Sequence, residues 1–339
     1  MERIEIQILQ ALSAGPLSVY ELIDNQDSCL KEFVEILSKL EDEGKVRVKN
    51  GKVELTEEGK NLVRKLKLFR VKLRCKLCEG TGYEILEPFR NVYKKYSEIA
   101  KNRPESIERY DQGFISLDGV IRRVEFLYER GDLAAKIFVV GDDDLFSIAA
   151  ALTGLPKKIA VIDIDDRLIS FIDKAAKEYG LPIDAFVYDV QEEFPEEYRG
   201  KYDVFLTDPV ETIPGIRLFL SRGVSSLKGI GCSGYFGLTT LEASRKKWYE
   251  IQRMIHEMGF VITDIRRKFN VYPEEEKNFF RFQEKFPIVR KLGVRADYNW
   301  YTSCLYRIEA VKDPKPIVSG RMVINEKIYK DEESWATPY

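Results

Sequence analysis

The fold is decided by residues 136–144, which read Lys-Ile-Phe-Val-Val-Gly-Asp-Asp-Asp from Lys136 to Asp144. The first five residues predict a buried β-strand, and residues 145–152 predict a helix. A strand, a glycine turn and a helix usually cradle a nucleotide, because the helix N-terminus directs amide N–H groups at the ligand. Aspartates stand here where such turns usually carry glycines. The turn therefore indicates a ligand whose nearest group is cationic.

The composition is that of a globular chain large enough for more than one domain. The chain has 339 residues, of which 44% are hydrophobic and 32% charged. A charged fraction above about one quarter suits a thermophile. The net charge of −2 gives no general attraction to nucleic acid or to an anionic membrane. No charged-then-apolar leader and no apolar span of membrane length is present, so we expect a cytoplasmic protein.

Residues 1–68 predict a separate module of three helices followed by a two-stranded wing. Apolar residues recur at helical spacing, and Asn50-Gly51 predicts a hairpin turn. The arrangement resembles a winged helix-turn-helix domain, which would either bind DNA or serve in dimerisation or docking. Its recognition helix, 28–43, carries two lysines and five acidic residues. A helix that enters a DNA groove must neutralise phosphates, so we favour docking or dimerisation over nucleic-acid binding.

Residues 69–115 form a connector with the motif Cys75-Lys-Leu-Cys78, followed by Gly-Thr-Gly. This spacing looks like half of a zinc knuckle, but a structural zinc site needs four ligands. The alternatives are a degenerate knuckle without metal, a zinc site shared between two subunits, and a disulfide. We favour the first and expect no metal. The remaining cysteines and the single histidine stand apart in the sequence, at Cys29, Cys232, Cys304 and His256.

Strands and helices alternate through residues 116–311. This alternation predicts a Rossmann-like α/β domain with a mainly parallel seven-stranded sheet and helices on both faces. Residues 312–339 lack periodicity and are predicted to be a C-terminal tail, with Trp335 and Tyr339 as lid candidates. The predicted strands are 136–140, 159–163, 184–188, 202–207, 228–235, 260–267 and 301–310. The predicted helices are 119–130, 145–152, 166–179, 214–222 and 241–258.

Acidic residues follow several of these strands at their carboxyl ends, where parallel sheets bind ligands. Asp163 ends the second strand, a position that typically receives ribose hydroxyl groups. Asp189 follows the third strand and would meet an adenine amino group, with Val190 against the ring. Asp208 and Glu211 follow the fourth strand, opposite residues 141–144, which we call the acidic turn. Each of these could also be an ordinary turn or cap residue, but together they indicate one site.

These features resemble the class I S-adenosylmethionine (AdoMet) methyltransferase fold over residues 119–311. Asp144 and Thr207-Asp208-Pro209 are closer to the aminopropyltransferase branch. The closest resemblance is to the archaeal branched-chain polyamine synthases, the N4-bis(aminopropyl)spermidine synthases, and it spans nearly the whole chain. Five features carry this resemblance. They are the module at residues 1–68, called the front module below, the Cys-x-x-Cys connector, Tyr-Asp-Gln-Gly at 110–113, the Gly-Asp-Asp-Asp turn at 141–144 and Asp-Pro-x-Glu-Thr at 208–212.

The acidic turn predicts which donor is used. The carboxylate of AdoMet would lie near three aspartates, and like charges about 4 Å apart repel by roughly 4 kcal/mol at an effective dielectric of 20. Decarboxylated AdoMet lacks that carboxylate and keeps a sulfonium and an ammonium group, so the turn attracts it. We therefore expect decarboxylated AdoMet as co-substrate. Its predicted binding residues are Gly141, Asp142, Asp144, Asp163, Asp189 and Val190.

The acceptor is predicted to be a polyamine, held by carboxylates along a groove with aromatic walls. One carboxylate must remove a proton, because an alkylammonium with a pKa near 10 is unreactive at neutral pH. We assign this catalytic role to Asp143 or Asp208. The resemblance implies that spermidine is aminopropylated once or twice at its internal nitrogen, with methylthioadenosine as coproduct. The predicted substrate-binding residues are Tyr110, Asp111, Glu211, Tyr235 and Phe236.

Two other classes of function remain open at this point. The first is an AdoMet-dependent N-methyltransferase acting on nucleic acid or protein. The acidic turn is an argument against this class. The second is a winged-helix DNA-binding regulator with a nucleoside-sensing domain, against which the acidic recognition helix counts. We expect the chain to form a homodimer.

Overall fold

The structure is a computed structural model of the chain. The residues it describes are 1–71, 78, 81–274, 278, 295–324, 328 and 331–333. They contain a small sheet in the front module and a seven-stranded sheet behind it. No helix in these residues is long and apolar enough to cross a membrane.

The front module has the helices and the hairpin that the sequence predicts. Asn50 and Gly51 both have positive φ, of 51° and 73°, as a tight hairpin turn requires. The three short strands pair antiparallel in the order β1-β3-β2. The elements are α1 (Arg3–Leu12), β1 (Leu17–Ser18), α2 (Val19–Asp24), α3 (Leu30–Asp42), β2 (Val46–Lys49), β3 (Lys52–Leu55) and α4 (Glu57–Lys65).

The larger body alternates strands and helices from residue 89 onward. Its strands are β4 (Lys136–Val140), β5 (Lys158–Asp163), β6 (Ile183–Val187), β7 (Val204–Thr207), β8 (Ser233–Leu238), β9 (Phe260–Val271) and β10 (Thr302–Ala310). Its helices are α5 (Phe89–Ala100), α6 (Leu117–Glu129), α7 (Phe146–Leu152), α8 (Asp166–Tyr179), α9 (Ile213–Ser226) and α10 (Arg245–Glu257), with a 3-10 turn at Glu108–Tyr110.

The sheet order β6-β5-β4-β7-β8-β10-β9 confirms the predicted mainly parallel seven-stranded sheet. β4 lies near the centre and runs parallel to β5 and β7, while β10 runs antiparallel to β8 and β9. The chain leaves β4 toward one edge and returns to β7 on the other side. This reversal opens a crevice outside the carboxyl ends of β4 and β7, which is the usual ligand position in such sheets.

Several strand boundaries differ from the prediction, since β9 extends to Val271 and β7 begins at Val204, but the displacement of β8 is the one that affects the site. The fifth strand was predicted at 228–235, and the structure has β8 at Ser233–Leu238. Lys228, Gly229 and Ile230 precede the strand, in the turn after α9. Tyr235 and Phe236 therefore lie inside the strand rather than at its carboxyl end, and this displacement affects the predicted site.

Candidate active site

A cavity opens at the carboxyl ends of the parallel strands. Its walls come from the turns after β4, β5, β6 and β7 and from the loop 110–113. Glu242, Tyr272 and Tyr301 close the end beyond β7. The predicted residues that line it are Tyr110, Asp111, Gly141, Asp143, Asp163, Asp189, Val190, Asp208 and Glu211.

Backbone N–H groups of the acidic turn hold it against β5. Gly141 has a φ of +74°, where a side chain would be strained, and its N–H donates to the Ile162 carbonyl at 2.7 Å. The Asp142 N–H donates to the Asp163 carboxylate at 3.0 Å. From this anchored turn the three aspartate side chains diverge.

Asp142 is buried and does not line the cavity. Its carboxylate accepts the Ser147 N–H at 3.2 Å, in the first turn of α7. Burial raises the pKa of Asp142 well above its usual range, and the hydrogen bond to Ser147 opposes this rise. The helix end that would receive an anionic group is thus occupied by a carboxylate of the protein itself.

Asp144 is also buried away from the cavity, and an arginine neutralises it. Its two carboxylate oxygens accept the Ile115 N–H at 2.6 Å and Nη1 of Arg123 at 2.8 Å. Burial raises the pKa of Asp144, whereas Arg123 lowers it. Arg123 itself has a side chain only 1% exposed. Its other nitrogens donate to Asp208 at 2.5 Å and to Asn270 at 2.9 Å.

Asp143 points into the cavity. Its carboxylate accepts the Gly113 N–H at 2.9 Å, and its side chain is half-buried. Burial raises the pKa of Asp143 to about 6, and the carboxylates of Asp163 and Asp208 add to the rise. Asp143 therefore titrates near neutral pH, as a general base should.

Asp208 reaches the cavity directly after β7. The Thr207 hydroxyl donates to the Val140 carbonyl at 2.7 Å and ties this strand end to β4. A Cβ at Gly237 would lie 1.7 Å from Oδ1 of Asp208, so the carboxylate requires a glycine there. Arg123 and Gly237 together fix the position of Asp208.

The nucleoside end of the cavity is formed by residues after β5 and β6. Asp163 accepts the N–H groups of Asp142 and Asp165 at 3.0 and 2.8 Å, and burial raises its pKa to about 6. Asp189 accepts the Gln191 N–H at 2.9 Å, and Val190 lies beside it. The predicted nucleoside residues are therefore brought together in the structure.

The opposite end carries two buried carboxylates. Glu211 accepts the Thr239 N–H through Oε1 at 2.7 Å, and its buried Oε2 has no hydrogen-bond partner in the described part of the chain. The Tyr301 hydroxyl donates to Glu242. Burial raises the pKa of Glu211 well above its usual range, and the Glu242 carboxylate adds to this.

Sequence reasoning missed Glu242, Tyr272 and Tyr301. Glu242 lies four residues after the true end of β8, so the correct boundary of that strand would have pointed to it. Tyr272 follows β9 and Tyr301 precedes β10. These two meet because antiparallel neighbours place the end of one strand beside the start of the next.

Tyr235 and Phe236 are not brought to the cavity, which corrects their assignment as substrate walls. The Tyr235 side chain is buried and its hydroxyl donates to Asp132. Phe236 is buried on the opposite face of the sheet and stacks on Tyr306 at 4.9 Å between ring centroids. Both point into the packed layers because they lie inside β8.

His256 and Cys78 do not line this cavity. His256 is exposed at the end of α10, with Nδ1 3.1 Å from the Phe260 carbonyl oxygen. Cys75 lies outside the described residues, and Cys78 is half-buried. Within the described ranges, no group of three or more His, Cys, Asp or Glu side chains is arranged to hold a metal ion.

The sheet order, with its cavity at the carboxyl ends of the parallel strands, is that of a methyltransferase-like fold. A crystal structure of the branched-chain polyamine synthase from Thermus thermophilus, in complex with N4-aminopropylspermidine and 5'-methylthioadenosine, has this fold. It is 34% identical, with a TM-score of 0.84 over 97% of this chain and 92% of that chain.

Comparisons of the sequence identify the family. The model of the branched-chain polyamine synthase A C-terminal domain matches residues 91–336. An N(4)-bis(aminopropyl)spermidine synthase of Thermococcus kodakarensis is 40% identical over 99% of this chain and 95% of the relative. Another, of Methanocaldococcus jannaschii, is 38% identical over 94% and 90%. The chain belongs to the branched-chain polyamine synthase family.

The raised pKa of Asp143 predicts a stability change with pH. The folded protein binds this proton more tightly than the unfolded chain, whose aspartates have a pKa of about 3.9. The ionised form therefore destabilises the folded state increasingly as pH rises from about 4 to about 6. We expect Asp143→Asn to stabilise the protein at pH 7.5 by on the order of 1–3 kcal/mol, and by much less at pH 4.5.

Thermal unfolding at the two pH values measures this difference. Asp173→Asn is the control, because Asp173 lies on the surface of α8. An Asp143→Asn shift of the same size at both pH values would contradict a raised pKa.

Proposed function

We propose that this chain transfers aminopropyl groups from decarboxylated AdoMet to the internal secondary amine of spermidine. The products are branched polyamines and methylthioadenosine. The observation that carries the proposal is the excess of carboxylates along the cavity, since Arg123 already serves both Asp144 and Asp208. Asp143, Glu211 and Glu242 add further carboxyl groups to the same cavity, which suits a flexible polycation.

The choice of donor follows from the acidic turn. Asp142 accepts the Ser147 N–H in the first turn of α7, so a carboxyl group of the protein already lies at the helix end that the carboxylate of AdoMet would approach. Asp143 and Asp208 face the place where the amino-acid portion of AdoMet would lie. They attract the ammonium of the decarboxylated donor and repel a carboxylate. Gly141, Asp163, Asp189 and Val190 surround the nucleoside.

Asp143 is the better general base of the two catalytic candidates. Asp208 accepts a hydrogen bond from Arg123 at 2.5 Å, so this carboxylate is already engaged with a permanent cation. Asp143 accepts a backbone N–H and has a pKa of about 6. We assign proton removal to Asp143, and alignment of the ammonium groups to Asp208.

The reaction is a direct displacement. The deprotonated secondary amine attacks the aminopropyl carbon attached to sulfur, the carbon–sulfur bond breaks, and its electron pair stays on sulfur. Asp143 takes one proton from the secondary ammonium before the attack. Methylthioadenosine then leaves as a neutral thioether, and the positive charge of the sulfonium passes to the nitrogen. The cavity accelerates this step by holding the nitrogen in line with the breaking bond.

The acceptor chain would lie toward Glu211 and Glu242. The ring centroids of Tyr272 and Tyr301 are 5.4 Å apart, and the two ring planes meet at 84°. These rings supply an aromatic wall for the methylene groups of the acceptor. The buried Oε2 of Glu211 is suited to accept a hydrogen bond from a terminal ammonium. Tyr110 and Asp111 would contact the acceptor from the other side of the cavity.

The four-part division of the chain is part of the proposal: a winged-helix module at 1–68, a connector at 69–115, a catalytic domain at 116–311 and a tail at 312–339. The tail is proposed as a lid, because Ile328 lines the cavity and its carbonyl accepts the Thr212 hydroxyl. Trp335 and Tyr339 lie outside the described residues. The homodimer stays a prediction.

Incubation with spermidine and decarboxylated AdoMet tests the reaction. We expect the acceptor to gain one and then two aminopropyl units by mass spectrometry, with one methylthioadenosine released for each. AdoMet is the control donor and should give no product. Methylation with AdoMet and no gain with the decarboxylated donor would favour the methyltransferase alternative.

The base assignment predicts a pH profile. Because only ionised Asp143 can accept a proton, kcat/KM should rise with pH through about 6. Asp143→Asn should lower kcat at least 100-fold at pH 7.5. Asp208→Asn should reduce turnover and keep the rise, displaced to lower pH, because the Asp208 carboxylate contributes to the raised pKa of Asp143. If the rise disappears in Asp208→Asn and persists in Asp143→Asn, the two roles are reversed.

Gly237→Ala tests the placement of Asp208 without changing its charge. The new methyl group would overlap Oδ1 and push the carboxylate away from its position on Arg123. We expect kcat/KM to fall by about 100-fold while the protein stays folded by circular dichroism. Gly320→Ala is the matched control, since a Cβ there meets nothing within 4 Å. Equal activity of both variants would contradict the role of Asp208.

A further inference from the structure

Three cavity residues are not carried by the ends of the parallel strands. Glu242 lies in the loop between β8 and α10, Tyr272 follows β9, and Tyr301 precedes β10. Each of the three segments that carry them makes a specific contact with the front module.

The first contact joins α3 to the Glu242 loop. The N–H of Leu30, in the first turn of α3, donates to the carbonyl of Leu241 at 2.6 Å. Leu241 directly precedes Glu242. Asp27, just before the helix, accepts a hydrogen bond from Arg245 at 2.9 Å on the other side of the same loop. The loop is therefore held at both ends by the front module.

The second contact is between aromatic rings. Tyr20 of α2 lies 5.1 Å from Trp300 between ring centroids, and both side chains are at least 97% buried. Trp300 directly precedes Tyr301, and their rings are 5.6 Å apart. The ring of Tyr20 thus supports the residue that positions Tyr301.

The third contact is an ion pair to β9. The Lys268 ammonium donates to the Asp24 carbonyl at 2.9 Å and also to the Asp24 carboxylate. Lys268 has a φ of +55° beside a register shift between β9 and β10. It lies two residues before Asn270, which accepts from Arg123, and four before Tyr272.

These contacts also bury the end of α3 that a groove-reading helix would present to DNA. Cys29 and Leu30 are 3% and 2% exposed. In this arrangement the first turn of α3 serves the contact with the larger body and is closed to a nucleic acid.

We propose that the front module is a positioning element of the active site. By holding the segments of Glu242, Tyr272 and Tyr301, it sets the affinity for the polyamine and leaves the nucleoside end unaffected. The inference rests on the proposed function in one respect, that the polyamine occupies this end of the cavity. Its side chains act through the segments they hold and touch no substrate.

The test compares how variants of the front module change KM for spermidine and KM for the donor. We expect Lys268→Met and Tyr20→Leu to raise KM for spermidine by about tenfold, while KM for the donor stays within twofold. Affinity for methylthioadenosine, measured by calorimetry, should not change. Tyr20→Phe keeps the ring contact with Trp300 and should raise KM for spermidine less than Tyr20→Leu does.

Lys158→Met is the matched control, because it breaks an exposed ion pair with Asp184 at the amino end of β5. If Tyr20→Leu does not fold, Lys268→Met and Asp24→Asn decide the question. Unchanged spermidine KM in the folded variants overturns the proposal, as does an equal loss of affinity for both substrates.

Calorimetry of spermidine binding in the presence of methylthioadenosine separates this inference from the reaction. If the wild type binds spermidine but transfers nothing, the proposed function fails. The front-module variants then still test the inference, because weaker spermidine binding supports it and unchanged binding overturns it.

Discussion

The active site depends on one buried guanidinium. Arg123 uses all three of its nitrogens, on Asp144, Asp208 and Asn270. Charges so deeply buried persist only when each has a partner, and removing one partner typically costs about 3–5 kcal/mol. This constraint joins α6, the acidic turn, the end of β7 and β9 at one point. Gly237 belongs to it as well, because any larger residue would displace Asp208.

The same network leaves the site incompletely neutralised. Arg123 compensates the carboxylates it touches, while Asp143 and Asp163 keep raised pKa values of about 6. At the other end of the cavity, burial raises the pKa of Glu211 well above its usual range, and the Glu242 carboxylate adds to this rise. A polycation would supply the missing positive charge when it binds. Under the proposed function, bound ammonium groups would stabilise the ionised carboxylates, so charge would select the ligand.

The fold could be predicted from local patterns because the periodicity of strands and helices depends on residues that are close together in the sequence. The alternation predicted the parallel sheet, and strand ends pointed to Asp163, Asp189 and Asp208. The error at β8 had a local cause, because Lys228, Gly229 and Ile230 form the turn before the strand and were predicted as part of it. Tyr235 was therefore placed at a strand end, and the structure has it within the strand. The far end of the cavity was missed for a different reason, because it is built by antiparallel strands and by contacts with the front module.

The sequence by itself determined the sheet, the acidic turn and the positive charge expected of the ligand. All three follow from residues close together in the chain. Only the tertiary structure decided the separate roles of the three aspartates: Asp142 caps a helix, Asp144 pairs with Arg123, and Asp143 faces the cavity. Adjacent side chains diverge at a turn with positive φ, so their partners come from distant segments. Spacing along the chain carries no information about such partners.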